Sequence, residues 1–323
     1  MFSRAYLLSV VIVLALCCGA RAQTEAGSGQ SALRNPQSAI VRVAVLELGA
    51  GRTASHVSER VAKLFAAAGS RGDLRLSTLD RNMTRAASRG AGYAGSLNMT
   101  LAEARSLGAS IGCDFYVTGD AETIRRSSTA RPVYFESYAS IFIVSSRTGH
   151  LVFWERPAFE ADTAERAEAS LLASLDAGAG ERYASALAAT FVREERERLN
   201  PSSDEGRAHV IDLASDDEDA NSPPGFREPA PYRRIRPAYT DAAYKAEAEA
   251  TVAASVEIDA KGEVSEVEIV RWAGFGLDEE VAATVRRMHF RPALSDGEPV
   301  AVRVLLRYNF RRPPKAERAA GQK

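Results

Sequence analysis

Apolar and polar positions alternate in two distinct blocks along the chain. In the first, IVRVAVLEL (Ile40 to Leu48) is rich in β-branched residues and predicts a strand. Val57, Val61, Leu64 and Phe65 then recur at helical spacing. Leu74 to Leu79 predicts a short strand and Thr100 to Leu107 a helix. In that helix Thr100 stands at the N-cap, with Glu103 three residues on as a capping box. Three strands follow, at Asp114 to Ile124, Pro132 to Ser145 and His150 to Phe159, the last two joined by the turn Ser146-Arg147-Thr148-Gly149. Thr163 to Leu199 is alanine-rich and charged, and reads as one or two helices interrupted near Gly178 and Gly180. The block from 38 to 199 is thus a mixed α/β domain.

The second block runs from 231 to 313. TVAASVEID (Thr251 to Asp259) puts Val252, Ala254, Val256 and Ile258 on one face. Ala260-Lys261-Gly262-Glu263 supplies a hairpin turn, and Val264 to Arg271 returns as a second strand. Leu277, Val281, Val285 and Met288 form a helical stripe. Acids Asp278, Glu279 and Glu280 begin that helix, and Arg286, Arg287 and His289 stand in its last turn, where both suit the helix dipole. Pro292 ends the helix, Asp296-Gly297 turns the chain, and alternation resumes at Val300. Val300, Val302, Val304, Leu306, Tyr308 and Phe310 then share one side, and Ala301, Arg303, Leu305, Arg307 and Asn309 the other. The order strand, strand, helix, strand predicts a two-layer unit: one helix on a small antiparallel sheet. The fold class expected for the whole chain is α+β.

Between the blocks, residues 200 to 230 change character. From Arg193 to Pro229 there are eleven acids against five arginines, with several prolines, so the stretch reads as a solvated linker. The chain has 323 residues, enough for two domains, and shows no internal repeat. Its formal charge is −1, which argues against nucleic acid as a main partner.

The N-terminus carries targeting information. Arg4 precedes an apolar run from Tyr6 to Cys18, followed by Ala20-Arg21-Ala22 as a cleavage signal. That run is shorter than the roughly 20 residues a membrane helix needs. Residues 1–22 are therefore read as a cleaved signal peptide, against an uncleaved anchor or a lipidated Cys17 or Cys18. Cleavage takes two of the three cysteines and leaves Cys113 alone in an apolar stretch, where it reads as an inert core residue. Residues 314–323 form a basic tail.

The chain carries little recognisable catalytic chemistry. Gly90-Ala91-Gly92-Tyr93-Ala94-Gly95 spells a dinucleotide fingerprint, but a helix precedes it where that motif needs a strand. Gly49-Ala50-Gly51 follows a strand and precedes a helix, yet lacks a third glycine and a P-loop lysine, so it reads as a tight turn. His56, His150, His209 and His289 do not stand at metal-ligand spacing, and no nucleophile elbow occurs. Asn82-Met83-Thr84 and Asn98-Met99-Thr100 match the glycosylation sequon, which arises often by chance. The chain is expected to be non-enzymatic, with no metal and no cofactor. The rival is an enzyme whose site is scattered over the loops of the first domain.

Arg236-Pro237-Ala238-Tyr239, the turn Asp259-Ala260-Lys261-Gly262, Gly276-Leu277-Asp278, Phe290-Arg291-Pro292-Ala293 and Asp296-Gly297-Glu298-Pro299-Val300 together resemble the TonB C-terminal domain family. The resemblance covers about residues 231 to 313. It implies a periplasmic module that binds an outer-membrane TonB-dependent transporter, or another envelope protein, by adding the partner's extended segment to a sheet edge. The residues it implies at that edge are Arg303, Leu305, Arg307 and Asn309. Energy-coupling members also engage inner-membrane motor proteins through an uncleaved N-terminal helix and carry a long proline-rich rod. This sequence has a short, cleavable apolar run and a folded domain instead, which weakens a role in energy transduction but leaves strand-edge binding, with a link to TonB-dependent transmembrane transport, as the expectation. An assembly scaffold of the envelope is the alternative. An unpaired edge also leaves a homodimer open as a partner state. More loosely, VAVLEL, the stretch from Leu107 to Gly119 and Thr148 to Trp154 resemble the TolB N-terminal domain and CsgG-like envelope proteins, implying a mixed α/β fold and protein binding.

Overall fold

A computed structural model describes residues 40–69, 74–128, 132–200, 210–213 and 225–313. Residues 1–22, expected to be a signal peptide, residues 314–323 of the expected basic tail, and His209 lie outside the described residues. The first block is built from β1 (Ile40–Val45), α1 (Arg52–Ala68), β2 (Arg75–Thr78), α2 (Arg81–Gly90), α3 (Leu101–Ile111), β3 (Phe115–Arg126), β4 (Tyr134–Ser145), β5 (Leu151–Glu155), β6 (Ala158–Ala161), α4 (Ala164–Asp176) and α5 (Ala179–Leu199). The sheet order is β2-β1-β3-β4-β5, with β6 also paired to β4. β1 runs parallel to β2 and β3, whereas β3, β4, β5 and β6 meet antiparallel.

One expected strand is in fact two. His150 to Phe159 breaks at Arg156-Pro157, and β5 and β6 pair with different stretches of β4. Proline cannot donate to a ladder, so the interruption falls where the sequence requires it. Of the two glycines expected to interrupt this helical stretch, Gly178, at φ +92°, separates α4 from α5, whereas Gly180 lies within the first turn of α5. The capping box of Thr100 and Glu103 is present in both directions. The Gly90 to Gly95 run leaves α2 and leads toward α3, so no strand delivers it to a phosphate.

The central stretches of β1, β3 and β4 are buried on both faces, and their two side-chain sets enter different cores. Val43, Val45, Phe115, Val117, Ile141 and Ile143 pack against α1, α4 and α5 through Val57, Phe65, Leu171 and Tyr183. Ala44, Tyr116, Phe142 and Val144 face the other way, toward α3 and toward the second block. A period of two divides a continuous apolar run between two layers, which is why these runs show no polar face.

The second block comprises β7 (Ile211–Asp212), β8 (Phe226–Arg227), β9 (Ala230–Pro231), α6 (Asp241–Ala246), β10 (Ala250–Ile258), β11 (Val264–Arg271), α7 (Leu277–Val285), β12 (Phe290–Arg291), β13 (Ala293–Ser295), β14 (Glu298–Val300) and β15 (Val302–Phe310). Its main sheet has the order β11-β10-β15-β7, with β10 antiparallel to both neighbours. Val252, Ala254, Val256 and Ile258 are buried beneath Leu277, Val281 and Val285 of α7. The whole is α+β, as the pattern implied.

Three expectations for this block are corrected. α7 ends at Val285, so Arg286, Arg287 and His289 stand just beyond its last turn and not in it, although Arg287 Nε still donates to the Ala283 carbonyl of that turn at 3.2 Å. Pro292 does not end the helix, because Phe290-Arg291 is already a strand paired with Ala230-Pro231. The final alternation is interrupted at Ala301: β14 closes a hairpin with β13 around Asp296-Gly297, and β15 begins at Val302. The acidic linker is also not wholly solvated, since Ile211-Asp212 pairs in parallel with Val302-Arg303.

The two blocks are welded together. Trp272, 1% exposed, stacks on Phe142 with ring centroids 6.0 Å apart and donates from Nε1 to the Gly149 carbonyl at 3.1 Å. Phe275 meets Phe142 edge-on at 5.2 Å and Trp154 at 5.9 Å. Asn98 completes the junction. Its Nδ2 donates to the carbonyls of Thr251 (2.8 Å) and Trp272 (2.7 Å), and its Oδ1 accepts from Thr251 N at 3.1 Å. The amide side chain therefore acts as a strand would, where β10 and β11 part.

Candidate strand-docking edge

β15 is paired along its whole length to β10, from Val302 opposite Ile258 to Phe310 opposite Ala250. On its other side Ile211 N donates to Ala301 O and Leu213 N to Arg303 O. Backbone groups of successive strand residues point to opposite sides. The odd-numbered residues therefore turn away from β10, and the same alternation turns the peptide groups of Leu305, Arg307 and Asn309 outward. No strand among the described residues pairs with β15 beyond Arg303. β7 covers only the first two residues of that side and leaves the stretch from Val304 to Phe310 as the strand's edge.

The four side chains expected on the non-core face occupy different surroundings. Arg303 is held by an ion pair with Glu257 across the sheet and lies 3.6 Å from Asp212. The Glu257 carboxylate is the main cause that raises the Arg303 guanidinium above its ordinary range. With β7 beside it, Arg303 anchors the covered end of the strand. Leu305 is half-buried and lines a groove of about 580 Å³ between the sheet and the start of α3. Arg307 and Asn309 are exposed, and Asn309 accepts a hydrogen bond from Thr251 Oγ1 at 2.7 Å. β15 thus presents an ordered main-chain ladder, an apolar side chain at Leu305 and fixed polar groups at either end. Such an edge can pair with an extended peptide; it holds no nucleophile or acid-base pair.

Sequence reasoning missed the feature that fixes this sheet in place. Asn98 was visible only as a sequon, and its hydrogen-bonding role depends on residues more than 150 positions away. Nothing local signals such a contact. Cys113 behaves as read: it is buried, and burial pushes its thiol up to about 11.

Residues 235–311 match the family described as Gram-negative bacterial TonB protein C-terminal. That part of the chain is a TonB C-terminal domain, a periplasmic type whose members interact with outer-membrane proteins. The sequence matches no curated protein. Among solved structures, the chain is similar to the TonB C-terminal domain of Pseudomonas aeruginosa, at 19% identity and a TM-score of 0.25, over 33% of this chain and 99% of that one. It is also similar to lipoprotein GNA1162 of Neisseria meningitidis, at 14% identity and a TM-score of 0.27, over 45% and 99% of the two chains. LpoB of E. coli matches at 15% identity and a TM-score of 0.26, over 39% and 58%. Scores this low do not equate the folds. No helix among the described residues is long and apolar enough to cross a membrane.

Proposed function

We propose that this chain is a non-enzymatic periplasmic binding protein that captures an extended segment of an outer-membrane transporter, or of another envelope protein, by adding it to β15. The observation that supports this reading is the outward ladder at Leu305 and Asn309, beside which no described strand is paired. Main-chain hydrogen bonds would supply affinity, and the Leu305 groove would select the alternate side chains of the guest. The test is Leu305→Pro in the full chain. Because the Leu305 N–H faces away from β10, proline there costs no native ladder bond. Binding of a transporter-derived extended peptide should be lost while the unfolding midpoint stays close to that of the wild type. Unchanged binding would contradict the assignment.

A second reading, an assembly scaffold without a transport role, is favoured by the junction between the blocks. Trp272, Phe275 and Asn98 fix the C-terminal domain against the first sheet, so it cannot swing outward on a free linker. The signal peptide decides between passive capture and energy coupling. A mature N-terminus at Gln23 would exclude coupling to inner-membrane motor proteins, and retention of residues 1–22 in the inner membrane would restore it.

A further inference from the structure

A second pair of strand edges meets at the junction of the two blocks. β5 ends the first sheet and β11 ends the second, and a cleft of about 590 Å³ lies between them. One wall is the unbroken run from His150 to Trp154, the other the unbroken run from Glu266 to Ile269. Consecutive residues lining a wall mean that the main chain borders the cleft, since one face of a strand would contribute only alternate residues.

Hydrogen-bond alternation gives the orientation of each wall. Ser145 N donates to His150 O and Ala139 N to Pro157 O, so the odd-numbered residues of β4 face β5. Phe153 and Glu155, opposite Ile143 and Ile141, are turned inward, and the peptide groups of Trp154 turn toward the cleft. In the second sheet the backbone of Thr251 points to the β11 side, where it meets Asn98. Ser255 and Glu257 share that orientation and bond Glu268 and Glu266, which leaves Val267 and Ile269 turned outward. Both walls therefore offer main-chain donors and acceptors to the same space. The wall from Glu266 to Ile269 is about 13 Å long, the length of four extended residues.

The charge of the cleft specifies the guest. Glu266, Glu268 and Glu279 line it, against one guanidinium at Arg286 and the imidazole of His150, while the buried Asp278 is already bonded to Ala273 N and Gly274 N. His150 lies 3.3 Å from Glu268, and Glu279 is exposed on the first turn of α7.

We propose that the cleft between β5 and β11 is a second docking site, which takes a short extended segment of a partner protein carrying lysine or arginine and adds it as a strand between the two sheets. It lies at the end of the C-terminal sheet opposite β15 and does not depend on the β15 reading. Lysine or arginine side chains of the guest meet the carboxylates while its backbone pairs with Trp154 on one wall and with Val267 and Ile269 on the other.

The experiment uses the full chain and two synthetic hexapeptides, one alternating valine with lysine and one alternating valine with glutamate. Residue-resolved amide exchange should slow at least tenfold at Trp154, Val267 and Ile269 with the lysine peptide and stay unchanged with the glutamate peptide. Glu279→Lys, at an exposed position, should weaken the lysine peptide at least fivefold without moving the unfolding midpoint. Equal protection by both peptides, protection confined to β15, or no protection at all would overturn the proposal.

Discussion

The side-chain amide of Asn98 donates to the main-chain carbonyl of Trp272 at 2.7 Å, joining residues 174 positions apart. The same amide closes a reciprocal pair with Thr251, so three backbone groups depend on one side chain. Each such bond is worth about 1 kcal/mol net, and more when its partner is left without one. Asn98→Ala should therefore cost about 3 kcal/mol in urea unfolding. Asn98→Asp should cost at least as much, because it turns a second oxygen toward two carbonyls. A mild aspartate variant would show that size, and not donation, matters here.

Gly274 gives an independent probe of the junction. Its φ is +72°, and a Cβ there would come within 2.2 Å of the Phe142 ring. Gly297 has a similar φ of +89° but open space around it. Gly297→Ala should cost about 1–2 kcal/mol for the backbone conformation alone. Gly274→Ala should add about 1–3 kcal/mol of overpacking to that. Equal losses for the two variants would mean that the Phe142 contact contributes nothing.

Much of this architecture was legible in the sequence, for identifiable reasons. Val252 to Ile258 and Leu277 to Val285 are amphipathic at strand and helix periods, so their buried faces follow from spacing alone. The apolar runs of β1, β3 and β4 announced burial without saying against what. Their even-numbered positions are covered partly by Trp272 and Phe275, residues of a distant segment that no local pattern connects to them. The end of α7 was misplaced because Pro292 is a strong stop signal, yet the helix had already yielded to the pairing of Phe290 with Pro231. At the proposed docking edge, alternation identified the non-core face of β15, but it could not show that Ile211-Asp212 folds back onto Arg303.

Asp278 predicts a pH dependence. Its carboxylate accepts from Ala273 N and Gly274 N, both at 2.8 Å, but burial outweighs these bonds and pushes its pKa up to about 7. The ordinary value is 3.8, so the native state holds this proton more tightly than the unfolded chain does. Its contribution to stability is greatest below about pH 4, declines as pH rises toward 7, and is level above that. Over that window the stability of the wild type relative to Asp278→Asn should fall by up to about 4 kcal/mol. A difference that stays flat from pH 4 to 8 in denaturant titrations would contradict this account.

Cys113 should be chemically silent. Burial raises its thiol to about 11, and its sulfur lies 3.3 Å from Ser146 Oγ. Iodoacetamide at pH 8 should leave Cys113 of the folded protein unlabelled for hours and modify it rapidly in urea, since the thiolate is the reactive form. Fast labelling of the folded chain, read by mass spectrometry, would show that the surrounding core opens.

The central claim is that the β15 backbone is the working surface. Amide exchange at Leu305 and Asn309, followed while an extended transporter-derived peptide is titrated into the full chain, tests it most directly. Strand addition predicts that both amides slow together and saturate with binding. A peptide that binds while exchange at Leu305 and Asn309 stays unchanged would contradict it.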